Sequence, residues 1–327
     1  MTTTMAAPAS RFVPAQLSLR GRLATRLVRA IVKSWPRNDP DAVVRRARRV
    51  FELGNPLGFL YTRGIARWPV NESSANESTV RVRGEWLIPA GVEQEQKVLL
   101  YIHGGGYVSC SPSSHLPITS SLARLLQWRV FSLGYRLAPE HRFPAAVDDA
   151  AAAYSWLLTQ GAQPETIAVA GDSAGGGLAM ALLLRLRRTG VPLPGRAVLL
   201  APWVDLTGKG PYRNAKTCAM FTGEEAATFA SLYLHSAVPE TEEASPLFAD
   251  LRGLPPLLIQ ISSTELLLDD ALRLQQKASS AGVEARLSVY PGLPHVWQMF
   301  AGLVPEAGMA LREAAEFVGG AALVPRY

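Results

Sequence analysis

The chain has 327 residues, 48% hydrophobic and 18% charged, which is enough to bury a large core and excludes a disordered polymer. No apolar run reaches the roughly 18 residues that a membrane span needs. The net charge of +6 does not indicate nucleic acid: residues 1–50 carry eleven basic and two acidic residues, a local +9, leaving 22 basic against 25 acidic elsewhere.

Residues 1–15 carry little pattern, and fraying is expected there. Over 19–35, Leu23, Leu27, Ile31 and Val32 recur at helical spacing with arginines between them. Asp39-Pro40 reads as an N-cap and first-turn proline that launch a second helix through Phe51, and Gly54-Asn55-Pro56 stops it. Neither helix has an apolar partner nearby in sequence, so both are expected to pack onto something built later.

From Ser78 the texture changes. Residues 79–83 alternate in strand fashion, and 85–89 are the expected hairpin partner. Val98-Leu-Leu-Tyr-Ile102 is a continuous apolar run, as in a buried central strand. Strand and helix patterns then alternate. Strands are expected at 130–135, 166–170, 197–200, 257–261 and 285–290, and helices at 145–158, 178–188, 269–280 and 306–318. This order predicts an α/β fold: a mostly parallel central sheet with helices on both faces. Residues 206–243 interrupt it with helical, aromatic-bearing sequence (Phe221, Phe229, Tyr233). That insertion is expected over the top of the sheet, sharing a lid with the N-terminal helices.

Two glycine-rich turns carry the chemistry. The strand at 166–170 runs into Gly171-Asp172-Ser173-Ala174-Gly175, and a helix follows. Gly-x-Ser-x-Gly between strand and helix is the nucleophile elbow of serine hydrolases. A serine on so tight a bend holds its hydroxyl clear of the backbone, and the Ala174 amide points where an oxyanion forms. The second turn, His103-Gly104-Gly105-Gly106-Tyr107, follows the buried strand at 98–102. Three glycines let backbone amides approach a ligand with no side chain in the way, which is the second half of an oxyanion hole.

Several segments resemble the hormone-sensitive-lipase-type esterases (bacterial family IV) of the α/β-hydrolase fold, which carry a helical cap. They are Tyr101-Ile-His-Gly-Gly-Gly-Tyr, Tyr135-Arg-Leu-Ala-Pro-Glu-His-Arg-Phe-Pro-Ala-Ala, Gly171-Asp-Ser-Ala-Gly-Gly, Pro202-Trp-Val-Asp-Leu-Thr, Ser245-Pro-Leu-Phe-Ala-Asp-Leu-Arg-Gly-Leu-Pro-Pro and Pro294-His-Val-Trp-Gln. They cover most of 98–300 in order. The resemblance implies oxyanion donors at Gly105, Gly106 and Ala174. It also implies a triad in the chain order serine, acid, histidine. Of the five histidines only His295 follows the penultimate strand. The family's usual acidic motif is here Glu265-Leu-Leu-Leu-Asp269, which aligns Glu265 with the acid; Asp269 and Asp270 compete, and both also suit the first turn of a helix. Glu140 and Asp172 are expected to tie loops together by hydrogen bonds. Asp205 either orients the acid loop or caps the insertion.

The expected division is cap helices and linker at 1–70, core at 71–205, cap insertion at 206–243 and core again at 244–327. The expected activity is hydrolysis of short- to medium-chain carboxylic esters through an acyl-enzyme, by a Ser-His-Glu triad; the chain-length range follows from the resemblance, from a lid of modest size and from the expectation of no long exposed apolar patch for a lipid interface. No cofactor or metal is implied, and the only partner implied is a small-molecule ester, with no nucleic acid and no membrane; a homodimer stays open. A lactone or amide hydrolase on the same machinery is the nearest alternative. A non-catalytic ligand-binding homologue, like the gibberellin receptors, is the distant one, and those receptors lack the histidine present here as His295. Without an unbroken apolar h-region at the start, and with only Cys110 and Cys218 as cysteines, the chain is expected in the cytoplasm.

Overall fold

A computed structural model describes residues 12–33, 39–52, 58–73 and 81–320. In chain order the elements are α1 (Leu19–Lys33), α2 (Pro40–Glu52), α3 (Gly58–Tyr61), β1 (Ile65–Ser73), β2 (Arg81–Pro89), β3 (Val98–Ile102), α4 (Leu116–Leu126), β4 (Arg129–Leu133), α5 (Ala145–Thr159), β5 (Ile167–Asp172), α6 (Ala174–Thr189), β6 (Arg196–Leu200), α7 (Gly223–Leu234), β7 (Leu257–Ser262), α8 (Leu268–Ser280), β8 (Ala285–Tyr290) and α9 (Pro305–Gly319).

The strands form one eight-stranded sheet in the order β1-β2-β4-β3-β5-β6-β7-β8. β1 and β2 join antiparallel, and every pairing from β4 to β8 is parallel. Every residue of β3, β5 and β7 is buried. A strand with no exposed side must be covered on both faces, as the apolar run at 98–102 predicts. α4 packs with α9, α5 packs with α6, and both pairs contact strands. Parallel strands leave their carboxyl ends on one edge, and the loops after β3, β5, β7 and β8 therefore meet there.

Three expectations are corrected. The hairpin at 79–83 and 85–89 is instead a single strand, β2, and its partner is β1, which the sequence reading missed. The bend inferred at Gly84 is a close contact: a Cβ there would lie 2.4 Å from the Ser132 carbonyl oxygen of β4. α4 was also missed. Finally, no exposed apolar patch was expected, yet α1 turns Leu19, Leu23 and Leu27 to solvent at 64%, 54% and 60% exposure.

β1 also spans the expected boundary at residue 70. The expected fraying of 1–11, the helix stop at 54–56 and the start of the change in texture at 78–80 lie outside the described residues.

The N-terminal helices do find their partners late in the chain. Ser18 donates to Glu306 of α9 through its backbone amide (2.5 Å) and its hydroxyl (2.9 Å). Val28 packs with Ala219, Met220 and Phe300, and the Arg29 guanidinium donates to the Thr217 carbonyl at 2.6 Å. Arg48 of α2 donates to both carboxylate oxygens of Glu140 at 2.7 Å, and to the carbonyls of Val108 and Ala138.

Candidate active site

β5 ends in a strained turn. Ser173 has φ 52° and ψ −121°, a conformation that costs a side-chain-bearing residue free energy and holds only where the surroundings enforce it. Here the enforcement is visible. The Ser173 amide donates to the Leu200 carbonyl (2.8 Å), and its carbonyl accepts from Trp203 (2.9 Å). Neighbouring backbone allows only glycine alongside: a Cβ at Gly175 would lie 2.1 Å from the Ile102 oxygen, and one at Gly171 2.3 Å from the Gly175 oxygen.

The loop after β3 lies against this turn. A Cβ on Gly104 would meet the Asp172 carboxylate at 2.3 Å and the Ser173 Cβ at 3.1 Å. Gly105 has φ 106°, and a side chain there would meet the Ser109 carbonyl at 2.3 Å. Among the described residues, the amides of Gly105, Gly106 and Ala174 have no hydrogen-bond acceptor. The Gly104 amide, by contrast, donates to Asp172 Oδ1 at 3.0 Å.

Asp172 is the tie between the two loops. It accepts from Tyr101 at 2.7 Å and lies 3.2 Å from His115 Nε2, both buried. Burial pushes its carboxyl up, but His115 and Tyr101 outweigh that and hold it below the usual carboxylate value. His103 stacks on Tyr135 with ring centroids 4.3 Å apart, and burial beside His115 pushes its pKa down to about 3. His103 is therefore neutral scaffold. Sequence reading assigned Asp172 its tying role but missed Tyr101 and His115 as its partners. The only available signal was their chemistry, since 57 to 71 residues separate them from Asp172.

The candidate acid and base come from the next two strand ends. Glu265 follows β7 and His295 follows β8, and they meet: His295 Nδ1 lies 2.5 Å from Glu265 Oε2, both buried. Their loops are stitched together, because Ser262 Oγ accepts from the Leu293 amide (2.8 Å) and Ser263 Oγ from the Gly292 amide (3.1 Å). His295 Nε2 is buried and has no partner among the described residues. No hydrogen bond joins Ser173 to His295; such contacts often tighten only once substrate is bound.

The competing carboxylates are engaged elsewhere. Asp269 pairs with Arg213 at 3.0 Å. Asp270 accepts from the Val204 and Asp205 amides (3.3 and 3.1 Å). Burial, and then the nearby Asp205, push its carboxyl up to about 7. Asp205 itself caps the start of the insertion through the Thr207 amide and hydroxyl, and it pairs with Arg273 at 2.9 Å.

The insertion at 206–243 closes over these residues. α7 opens on a capping box between Thr222 and Glu225. Phe221 stands edge-on to the His295 ring, centroids 5.0 Å apart. Phe229 is so close to Gly106 that a Cβ there would lie 3.1 Å from its ring. Tyr233 stacks on Tyr107 of the glycine loop at 3.8 Å. Among the described residues no cluster of His, Cys, Asp and Glu is placed to hold a metal ion.

Known proteins resemble this chain in sequence and fold. A family profile described as alpha/beta hydrolase fold matches residues 99–299. An acetyl-hydrolase of Streptomyces hygroscopicus is 44% identical over 72% of this chain and 78% of its own. A carboxylesterase/phospholipase of Mycobacterium tuberculosis, LipF, is 35% identical over 92% of this chain and 82% of its own. The crystal structure of an esterase from the bacterial hormone-sensitive lipase family superposes with a TM-score of 0.82 at 38% identity, over 94% of this chain and 99% of the other.

Proposed function

The chain belongs to the α/β-hydrolase family, with the esterases of the hormone-sensitive lipase group, and on that premise we propose that it is a serine carboxylesterase. Ser173 Oγ attacks the carbonyl carbon of an ester while its proton passes to His295 Nε2. Glu265 accepts the Nδ1 proton in a hydrogen bond, fixes the tautomer and balances the imidazolium. The amides of Gly105, Gly106 and Ala174 receive the negative charge that develops on the carbonyl oxygen. The proton on His295 then goes to the departing alcohol, and water, activated by the same histidine, releases the acid from Ser173.

One observation carries this reading: the buried 2.5 Å pair of His295 Nδ1 and Glu265, which leaves Nε2 as the buried, unpartnered nitrogen. Short and medium acyl chains, roughly C2–C8, fit best. Phe221 and Phe229 stand close over His295 and Gly106, and one relative is named for the acetyl group. Two buried cysteines, Cys110 and Cys218, make no disulfide framework, which suits a reducing compartment, so we place the enzyme in the cytoplasm.

Turnover of a p-nitrophenyl ester series, with lactones alongside, tests the assignment. Ser173→Ala is expected to lower kcat by about 10⁶-fold with the fold intact. Faster turnover of lactones than of any ester would move the substrate class. Appreciable ester turnover by Ser173→Ala would remove the nucleophile.

A further inference from the structure

The outer face of α1 has no role in the chemistry above. Leu19, Leu23 and Leu27 follow one another at intervals of four, so they share one stripe of the helix. All three are more than half exposed. The opposite face is what holds α1 to the protein: Gly21 and Val28 are buried, and Thr25 donates to the Gly292 carbonyl at 3.1 Å. The leucine stripe therefore points away from the body.

Its borders are cationic. At about 100° per residue, Arg20 lies about 60° to one side of Leu23 and Arg26 about 60° to the other, with Arg22 beyond Arg26. All three arginines are exposed. The first turn of α1 has no acidic residue, and no acidic residue occurs anywhere in the helix. A ridge of leucines with Arg20 on one side and Arg26 and Arg22 on the other matches a lipid surface: the leucines enter the acyl boundary, and the arginine stems lie along it with their heads at the phosphates. Leu303 is also exposed, at 60%, three residues before the Glu306 that holds Ser18.

Against the expectation of no membrane partner, we propose that α1 is an interfacial docking helix that seats the protein on an anionic lipid surface. Charge complementarity selects this occupant. Residues 1–50 carry a local +9 while the remainder carries −3. A second copy docked through the same face would set like-charged arginines against each other, whereas anionic headgroups neutralise them. The docking helix adjoins the site through its opposite face. α1 touches the His295 loop through Gly292, and it touches the cap insertion through Thr217, Ala219 and Met220. The helix lies on the surface and does not cross it; no helix among the described residues is long and apolar enough to span a membrane.

Flotation with phosphatidylglycerol vesicles and with pure phosphatidylcholine vesicles is the test, with light scattering of the lipid-free protein beside it. The parent protein is expected to float with the anionic vesicles and not with the zwitterionic ones, and to release as salt rises. The double variant Leu23→Glu/Leu27→Glu is expected to lose binding by at least tenfold. Arg20→Gln/Arg26→Gln is expected to bind more weakly and with a flatter salt dependence. Both variants are expected to keep turnover of soluble p-nitrophenyl acetate within about twofold, which separates lost docking from lost folding. Absence of flotation with anionic vesicles, or undiminished flotation of the glutamate variant, overturns the proposal. So does a lipid-free dimer that the glutamate variant splits into monomers, because the stripe would then be covered by a second copy.

Discussion

Glu265 is the residue at which the family pattern and this chain part. The family's usual acid is an aspartate, and a glutamate is one methylene longer. The end of β7 and the loop after it are stitched to the His295 loop through Ser262 and Ser263. Glu265→Gln keeps the shape but cannot balance an imidazolium, so kcat is expected to fall roughly 10³–10⁴-fold. Glu265→Asp, on a loop built for the longer side chain, should retain part of the activity. Asp269→Asn should cost little in kcat, because Asp269 is occupied by Arg213. A dead Asp269→Asn beside an active Glu265→Gln would place the acid one turn later. Asp270 answers a different question. Its carboxyl, pushed up to about 7 by burial and Asp205, keeps a proton in the folded state that the unfolded chain releases near 3.8. Its stabilising contribution is therefore present below 3.8 and is lost as pH rises to about 7, by at most ~1.4 kcal/mol per pH unit. Asp270→Asn keeps an oxygen for the Val204 and Asp205 amides and has no proton to lose. The Tm of the variant relative to the parent is expected to rise between pH 5 and pH 8; a constant difference would contradict the burial argument.

At the scale of elements, the sheet's parallel half was legible because full burial writes itself as apolar runs, as at Val98–Ile102. The antiparallel edge was not. β1 contains Arg67, Pro69, Asn71 and Glu72, so its composition reads as loop, and only pairing with β2 makes it a strand. Gly84 misled for a related reason: a strand glycine and a turn glycine look alike until the backbone that approaches it is known. The glycine turns were legible because their function demands a residue type. The reach of Arg48 was invisible, since it depends on a helix docking some 60 to 90 residues from its origin. That contact makes α2 part of the site's support: Arg48 grips Glu140 and two carbonyls, one of them Val108 in the oxyanion loop. Arg48→Ala is expected to lower kcat/KM for short esters by about tenfold through a loosened loop, the loss of charge-assisted bonds worth about 1.5–3 kcal/mol. An unchanged kcat/KM would show that the loop holds itself.

Across the whole molecule, the N-terminal helices form a second layer over the loops of the proposed site. α1 rests on the histidine loop and the insertion, and α2 on the oxyanion loop. Deleting residues 1–53 is expected to leave the circular dichroism of the sheet in place while abolishing activity or broadening it across acyl lengths. Unchanged kcat/KM across the ester series would contradict that layering. The exposed leucines of α1 remove one argument for short substrates, the supposed lack of a lipid-facing patch, and leave the preference to rest on the closeness of Phe221 and Phe229 to the reacting groups. The predicted effects on turnover all depend on one serine forming a covalent intermediate. The most direct measurement is intact-mass and peptide mapping after treatment with diethyl p-nitrophenyl phosphate. That reagent phosphorylates an activated serine and releases nitrophenol. One diethylphosphoryl group per chain on Ser173, with ester turnover lost in proportion, is the predicted result. Full loss of turnover with the group on another residue, or undiminished turnover with Ser173 fully modified, would contradict the account.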